Sequence, residues 1–156
     1  MFNPSTSNIE IGVIADTHGL LRPEAVRYLK GCHYILHAGD IGKEAVLEQL
    51  KAIAPTFAVR GNVDKDPWAW KMPDKEVVEI GNLVFCIIHN LEELDTVDGF
   101  DVVVYGHSHI LKTYHKKGLL YFNPGGAGPK RFKLPVSIGR IVITDDHIES
   151  CTIKLL

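Results

Sequence analysis

The sequence predicts an α/β fold in which two β-sheets pack face to face as a sandwich flanked by helices. In the first third of the chain, apolar runs alternate with segments of helical periodicity, a pattern typical of parallel strands joined by helical crossovers. In the second half, short apolar runs follow one another with turn residues between them, which favours further short strands. The 156 residues suit one domain spanning 1–156, because single cores usually divide only beyond about 250 residues.

The elements of the first half are strand, helix, strand, helix and strand. An apolar, β-branched run predicts a strand over residues 9–15. Pro23 and Glu24 suit the first turn of a helix, and Gly31 suits its end. Residues 34–38 and 57–59 read as strands, and the apolar spacing within 43–53 predicts an amphipathic helix between them.

The second half is predicted to consist mainly of strands. Residues 77–80 and 83–88 flank Gly81-Asn82, which predicts a β-hairpin. Residues 102–105 form another buried strand. Further short strands are expected around 111–115, 119–122, 138–144 and 148–155, with turns at Lys117-Gly118 and Asp145-Asp146.

Composition predicts an ordinary globular protein of the cytoplasm. Hydrophobic residues make up 46% and charged residues 23%, with a formal net charge of -2. The sequence has no surplus of basic residues that would favour binding to bulk nucleic acid or to a membrane surface. No apolar run approaches the ~18 residues of a membrane span. Cys32, Cys86 and Cys151 lie far apart without a C-x-x-C pair, which indicates buried free thiols in a reducing compartment.

Five predicted strands end in side chains of the kinds that bind metal ions. In α/β sheets, ligands bind in the crevice beyond the carboxyl ends of the strands, so these side chains are expected to converge. Taken alone, the Asp-x-His, Gly-Asp and Gly-Asn motifs are more typical of solvated pairs, helix caps or turns, and His89 is as typical of a hydrogen-bonded core histidine. The inference depends on the ordered set: Asp16 and His18, Asp40, Asn62 and Asp64, His89, and His107 and His109.

That ordered set resembles the calcineurin-like metallophosphoesterases, which carry D-x-H, G-D, G-N-x-D/E, H and G-H-x-H in this order. The matching residues are Asp16-Thr17-His18, Gly39-Asp40, Gly61-Asn62-Val63-Asp64, His89 and Gly106-His107-Ser108-His109. The short chain is similar to the small bacterial and archaeal phosphodiesterase branch. Asn123-Pro124-Gly125-Gly126 resembles the N-P-G-S turn of that branch, although Gly126 replaces the serine. The resemblance implies the four-layer α/β/β/α fold of the family.

The resemblance also implies a two-metal centre. Asp16, His18, Asp40 and His109 would hold one ion. Asp40, Asn62, His89 and His107 would hold the other, so that Asp40 bridges the two. The expected ions are divalent, with Mn²⁺ favoured and Ni²⁺, Co²⁺, Fe²⁺ or Zn²⁺ as alternatives. The implied activity is hydrolysis of a small phosphate ester by a hydroxide that bridges the ions. Asp40, Asn62 and His107 are the expected catalytic residues.

Two departures from the family pattern bear on the mechanism. Val63 stands where larger relatives have a histidine thought to protonate the leaving group. If another residue supplies that proton, His37 and Asp64 are the first candidates. Asn90 stands where relatives usually have glycine, so its side chain is expected either to crowd the metal site or to contact substrate.

Several features leave alternatives open. Trp68 and Trp70 either pack their loop or form an exposed wall for a base or for a dimer contact. The basic cluster after residue 129 is either a solvated loop or a region that steers phosphate; it consists of Lys130, Arg131 and Lys133. The sequence leaves open whether the protein forms a homo-oligomer. The alternative to an enzyme is a non-catalytic, protein-binding scaffold, as in a eukaryotic relative, the small retromer subunit.

Overall fold

Ten strands and two α-helices form residues 8–156, the part of the protein that the computed structural model describes. Residues 1–7 of the predicted domain 1–156 lie outside the described residues. The helices are α1 (Pro23–Leu29) and α2 (Glu44–Ile53). The strands are β1 (Asn8–Ile14), β2 (Tyr34–His37), β3 (Thr56–Ala58), β4 (Lys75–Ile80), β5 (Leu83–Ile88), β6 (Val102–Val104), β7 (Lys112–Lys116), β8 (Leu119–Asn123), β9 (Ser137–Thr144) and β10 (His147–Leu155).

The first sheet has the strand order β10-β9-β1-β2-β3. Strands β1, β2 and β3 run parallel, while β9 is antiparallel to both β1 and β10. The two helices cross between the parallel strands, as the alternating sequence pattern predicts. The carboxyl ends of β1, β2 and β3 therefore lie at one edge of this sheet.

The second sheet has the strand order β4-β5-β6-β8-β7. Strands β5, β6 and β8 are parallel, and β4 and β7 pair antiparallel at the two edges. The predicted β4–β5 hairpin is confirmed. Its turn residues Gly81 and Asn82 both have positive φ, as a two-residue type I′ turn requires.

The main core lies between the two sheets, which confirms the predicted sandwich. The inner face of the first sheet contributes residues such as Ile11 and Leu36, and the second contributes Phe85 and Phe122. Both α-helices pack on the outside of the first sheet, where Leu29 and others are fully buried. The outside of the second sheet is covered by a short 3₁₀ helix (Leu91–Glu93) and its adjoining loop instead of an α-helix.

Other sequence expectations can be compared directly. Cys32, Cys86 and Cys151 are free, as predicted. Cys32 and Cys86 are buried, but the prediction that Cys151 is also buried is wrong, because it lies on the edge strand β10 and is only partly buried. Among the described helices, none is both long and apolar enough to cross a bilayer.

Candidate metal centre

The seven predicted ligand residues meet at the edge where the carboxyl ends of both sets of parallel strands lie. They follow β1, β2, β3, β5 and β6. On one side, His18 Nε2 lies 3.3 Å from His109 Nε2. On the other side, His89 Nε2 lies 2.9 Å from Asn62 Oδ1 and 3.3 Å from His107 Nδ1.

Asp40 lies between these two groups. Its Oδ2 is 3.6 Å from His18 Nε2 and 3.2 Å from His89 Nε2. Its Oδ1 accepts a hydrogen bond from the Val63 backbone N–H at 3.0 Å, which fixes the carboxylate plane. Burial alone would raise the pKa of Asp40, but His89, the Val63 N–H and His18 outweigh it and hold that pKa below its ordinary value. Asp40 therefore presents an ionised oxygen to both histidines.

Asp16 has a buried carboxylate oxygen without a hydrogen-bond partner. Its side chain is fully buried, and its Oδ2 accepts from the His107 N–H at 3.1 Å. Its Oδ1 finds no hydrogen bond among the described residues and lies 3.6 Å from His109 Nε2. Burial is the main cause that raises the pKa of Asp16 to about 7; His89 lowers this pKa and Asp40 raises it. A buried, unpaired carboxylate oxygen beside imidazole nitrogens fits a ligand to a cation.

Two triads bring potential ligand atoms within 4.8 Å of one another. One consists of Asp16, His18 and His109, and the other of Asp16, Asp40 and His89. Oxygen and imidazole ligands of this kind suit divalent transition ions, and no thiolate is involved. The residues present therefore fit a metal centre.

The backbone around the centre is strained. Five of the seven predicted ligands have left-handed φ values, from 47° to 75°; they are Asp16, His18, Asp40, His107 and His109. Such values are uncommon for residues other than glycine, and they persist at functional sites that the surrounding structure holds in place. Gly61 is required for a related reason, because a Cβ there would lie 2.2 Å from Asp40 N and Oδ1. The strained turns aim the ligands away from the sheets and towards one another.

The histidines differ in their protonation. His89 Nδ1–H donates to the Ala38 carbonyl at 2.8 Å, so its Nε2 faces the centre. Burial lowers the pKa of His89, but Asp40 outweighs this and leaves that pKa above its ordinary value. Burial lowers the pKa of His109 to about 4 and also lowers the pKa of His18. Neutral imidazoles of this kind are the form that binds metal.

Thr17 and His37 hold the first loop in place, and sequence reasoning did not assign them this role. The Thr17 hydroxyl donates to Ile41 O at 2.9 Å and accepts from His37 Nε2–H at 2.9 Å. His37 Nδ1 accepts from Gly39 N–H at 3.0 Å, and burial lowers the pKa of His37 to about 3. His37 is fully buried and neutral with both nitrogens occupied, so the suggestion that it donates a proton to the leaving group is wrong.

Asp64 joins the second and third ligand loops. Its carboxylate accepts from the backbone N–H groups of Ile41, Gly42 and Gly61 at 2.9–3.0 Å. The side chain is buried and faces the backbone, so the suggestion that Asp64 is the general acid is also wrong. Asp64 instead stabilises the turn on which Asn62 is placed.

The structure places Asn90, the two tryptophans and the basic cluster in different surroundings. Asn90 Oδ1 accepts from Glu92 N–H at 3.1 Å and caps the 3₁₀ helix that follows. Trp68 packs against the core under the helices, while 67% of Trp70 is exposed. The loop that contains the basic cluster is anchored beside the centre by Gly128 N–H, which donates to Asp16 O at 3.3 Å.

Comparisons with known proteins agree with this geometry. The family model of the calcineurin-like phosphoesterase superfamily domain matches residues 9–146. A probable metallophosphoesterase of Methanocaldococcus jannaschii is 32% identical, over 86% of this chain and 76% of that protein. A probable metallophosphoesterase of Methanothermobacter thermautotrophicus is 31% identical, over 80% of this chain and 81% of that protein.

Solved structures share the fold. An archaeal phosphodiesterase superposes with a TM-score of 0.81 at 25% identity, over 95% of this chain and all of that one (100%). Vacuolar protein sorting 29 of Cryptosporidium parvum superposes with a TM-score of 0.75 at 22% identity, over 96% of this chain and 98% of that one. The zinc complex of vacuolar protein sorting 29 from Entamoeba histolytica superposes with a TM-score of 0.74 at 21% identity, over 95% of this chain and 98% of that one. With most of its length matched by the family model and two relatives above 30% identity, the chain belongs to the calcineurin-like phosphoesterase superfamily.

Proposed function

We propose that the protein is a metal-dependent phosphodiesterase that hydrolyses small phosphate esters at a two-metal centre. Asp16, His18, Asp40 and His109 would hold one ion, and Asp40, Asn62, His89 and His107 the other. The observation that carries the proposal is the position of Asp40 Oδ2, 3.6 Å from His18 Nε2 and 3.2 Å from His89 Nε2. A single carboxylate between two ligand groups is the arrangement by which one residue joins two ions.

The ligand set supports divalent transition ions, and we propose Mn²⁺ as the native one. Bound there, such ions would polarise the phosphoryl oxygens and lower the pKa of a coordinated water to near neutrality. The summed charge of two divalent ions exceeds that of the Asp16 and Asp40 carboxylates. The loaded centre would therefore be net positive and attract a phosphate anion. Membership of the superfamily supports the hydrolase class, and the free thiols support a cytoplasmic location.

The residues of the chain control the protons of the centre. Among the proposed ligands, Asp16 and His89 are the two whose pKa is raised without metal, so both must release protons when metal binds. The His89 Nδ1–H bond to Ala38 O leaves Nε2 as the only nitrogen of that ring that can turn to an ion. The neutral His18 and His109 need no proton release.

Protonation of the leaving group is the step for which residues 8–156 offer no positioned acid. The isopropyl side chain of Val63 carries no proton, and His37 and Asp64 are committed to the internal hydrogen bonds described above. A positioned acid typically contributes ~10²–10⁴-fold. Esters with stable anionic leaving groups are therefore the expected substrates. A diester also carries less negative charge than a monoester dianion, so it depends more on nucleophilic attack.

The test is the ratio of kcat/KM for bis-nitrophenyl phosphate to that for nitrophenyl phosphate, with Mn²⁺ in excess. We expect a ratio above one, no turnover in EDTA, and slow release of phosphate from phosphoserine peptides. A ratio well below one, or rapid hydrolysis of phosphoserine peptides, would contradict the proposal that no general acid acts on the leaving group.

A protein-binding scaffold is the second candidate. The fold similarity to vacuolar protein sorting 29 favours it. A scaffold has no physical need for seven converging ligands, which supports the enzyme instead. Bound metal would fit both candidates, because a vacuolar protein sorting 29 structure also contains zinc, so metal analysis after gentle purification discriminates only when metal is absent. Less than one transition ion per chain, with none regained in Mn²⁺, would favour the scaffold.

A further inference from the structure

Two clefts open beside Asn62, one on each side. Both are lined by Arg60, Gly61 and Asn62. The smaller has a volume of about 120 Å³ and is closed by His89, Asn90 and Glu93. The larger has a volume of about 340 Å³ and is closed by Lys65 and Trp70. Ligand pockets usually measure about 300–1,000 Å³, so only the larger cleft has room for a ring system.

Trp70 is held with its ring exposed at this larger cleft. The indole Nε1–H donates to the Lys65 carbonyl at 3.0 Å, so its polar atom is satisfied within the same loop. Trp70 as a whole residue is nevertheless 67% exposed, whereas Trp68, two residues earlier, packs against the core. A fixed indole of this kind offers a flat apolar face at little cost in side-chain entropy.

The charges that line the cleft are mixed, with two cations, Arg60 and Lys65, and one carboxylate, Asp64. The Asp64 carboxylate accepts hydrogen bonds from three backbone N–H groups, and Arg60 is paired with Asp74 at 2.9 Å. Lys65 forms no ion pair among the described residues. Asn62 is a proposed metal ligand and lines the same cleft as Lys65 and Trp70, so a phosphate held at the metal centre would have its ester group next to these two residues.

We propose that this cleft, which we call the Trp70 cleft, binds the planar aromatic group of a phosphate ester, such as the base of a nucleoside ester. The proposal rests on the proposed function, because the phosphate would be held by the metal centre. It gives Trp70 the role of a specificity residue that stacks on the aromatic group without taking part in bond cleavage.

The test compares the binding of adenosine 5′-monophosphate and ribose 5-phosphate to the manganese-loaded protein by titration calorimetry. The two ligands carry the same phosphate and sugar and differ in the base. Both are alkyl monoesters, which the centre is expected to hydrolyse slowly. Stacking of a base contributes about 1–3 kcal/mol, so the nucleotide should bind roughly 5–150-fold more tightly. Quenching of tryptophan fluorescence should accompany binding of the nucleotide only.

Trp70→Ala should bring the two dissociation constants within about twofold and abolish the quenching, and Trp70→Phe should keep part of the difference. Phe132→Ala removes a side chain that is 94% exposed and does not line the cleft, so it should keep the wild-type ratio. Urea unfolding checks that Trp70→Ala is folded.

The outcomes separate the two proposals. Equal affinity of both ligands for the wild type would overturn the Trp70 cleft and leave the metal centre standing. An equal loss in Trp70→Ala and Phe132→Ala would overturn the cleft as the site of stacking. Failure of both ligands to bind in the presence of Mn²⁺ would overturn the cleft and the proposed function together.

Discussion

Replacing Asp16 with asparagine should stabilise the metal-free protein at alkaline pH. The buried Asp16 carboxyl has its pKa raised from 3.8 to about 7. Above pH 7, folding must therefore keep a charged group in a site that favours the neutral form. An asparagine oxygen can still accept the His107 N–H that Asp16 accepts at 3.1 Å. Its amide can donate to the neutral His109, which faces the orphan oxygen at 3.6 Å.

The magnitude follows from the pKa difference. Between pH 4 and 7 the folded state keeps the Asp16 proton that the unfolded state has lost, so this residue makes stability fall as pH rises. About three pKa units at about 1.36 kcal/mol each give an upper value of ~4 kcal/mol. Allowing for burial of the new amide, we expect about 2–4 kcal/mol at pH 8 and almost none at pH 4. For a chain of this size, the melting temperature should rise by roughly 5–15 °C.

The assay is urea unfolding of both proteins in EDTA from pH 4 to 8. His37 and His109 have pKa values lowered to about 3 and 4, and they give the opposite slope. Below pH 6.5 the unfolded state binds protons that these folded histidines do not, so their contribution makes stability fall as pH drops. That slope is common to both proteins, so their difference isolates Asp16. The exposed Asp95→Asn is the matched control and should show no pH-dependent difference. With Mn²⁺ bound, the sign should reverse. A pH-independent difference, or a loss of stability at pH 8 in EDTA, would refute the reasoning.

Three further predictions concern the centre. Asp40→Asn should abolish Mn²⁺-dependent hydrolysis in a folded protein, because it removes the ionised oxygen between the two ligand groups; near-wild-type turnover at saturating Mn²⁺ would show that Asp40 does not join them. Gly61→Ala should weaken Mn²⁺ binding at least tenfold, since its Cβ would lie 2.2 Å from Asp40 N; calorimetry measures this. The control is Gly118→Ala, whose Cβ meets nothing within 4 Å; because Gly118 has a φ of +81°, this variant should lose some stability and still bind Mn²⁺ normally. Activity should rise with pH, level off, and fall below about pH 6 as protons on Asp16 and His89 compete with metal; a maximum at acidic pH with metal still bound would be inconsistent.

The sequence predicts the fold and the meeting point of the ligands well because both depend on local pattern. Apolar runs end where the strands end, and parallel strands bring their carboxyl ends to one edge whatever the details of packing. Turn glycines such as Gly81 mark the hairpins by the φ values they permit. The layer outside the second sheet was less predictable, because a 3₁₀ helix of three residues has no periodicity to detect.

The roles of individual side chains depend on tertiary contacts that the sequence does not reveal. The Thr17–His37 hydrogen bond joins residues 20 positions apart on neighbouring strand ends. The one sequence signal for this hydrogen bond is the threonine within Asp16-Thr17-His18. A threonine hydroxyl can also form hydrogen bonds with many neighbouring backbone groups, so the signal does not identify His37 as its partner. The different exposures of Trp68 and Trp70 are likewise set by the 3₁₀ turn at Pro67–Ala69, which points one ring inward and leaves the other outside.

The central claim is that one carboxylate joins two metal ions at this edge of the sandwich. Anomalous diffraction from crystals grown with Mn²⁺ tests it most directly. The account predicts two peaks about 3.5–4 Å apart, both in contact with Asp40, one beside His18 and the other beside His89. A single peak, or two peaks that share no contact with Asp40, would contradict it.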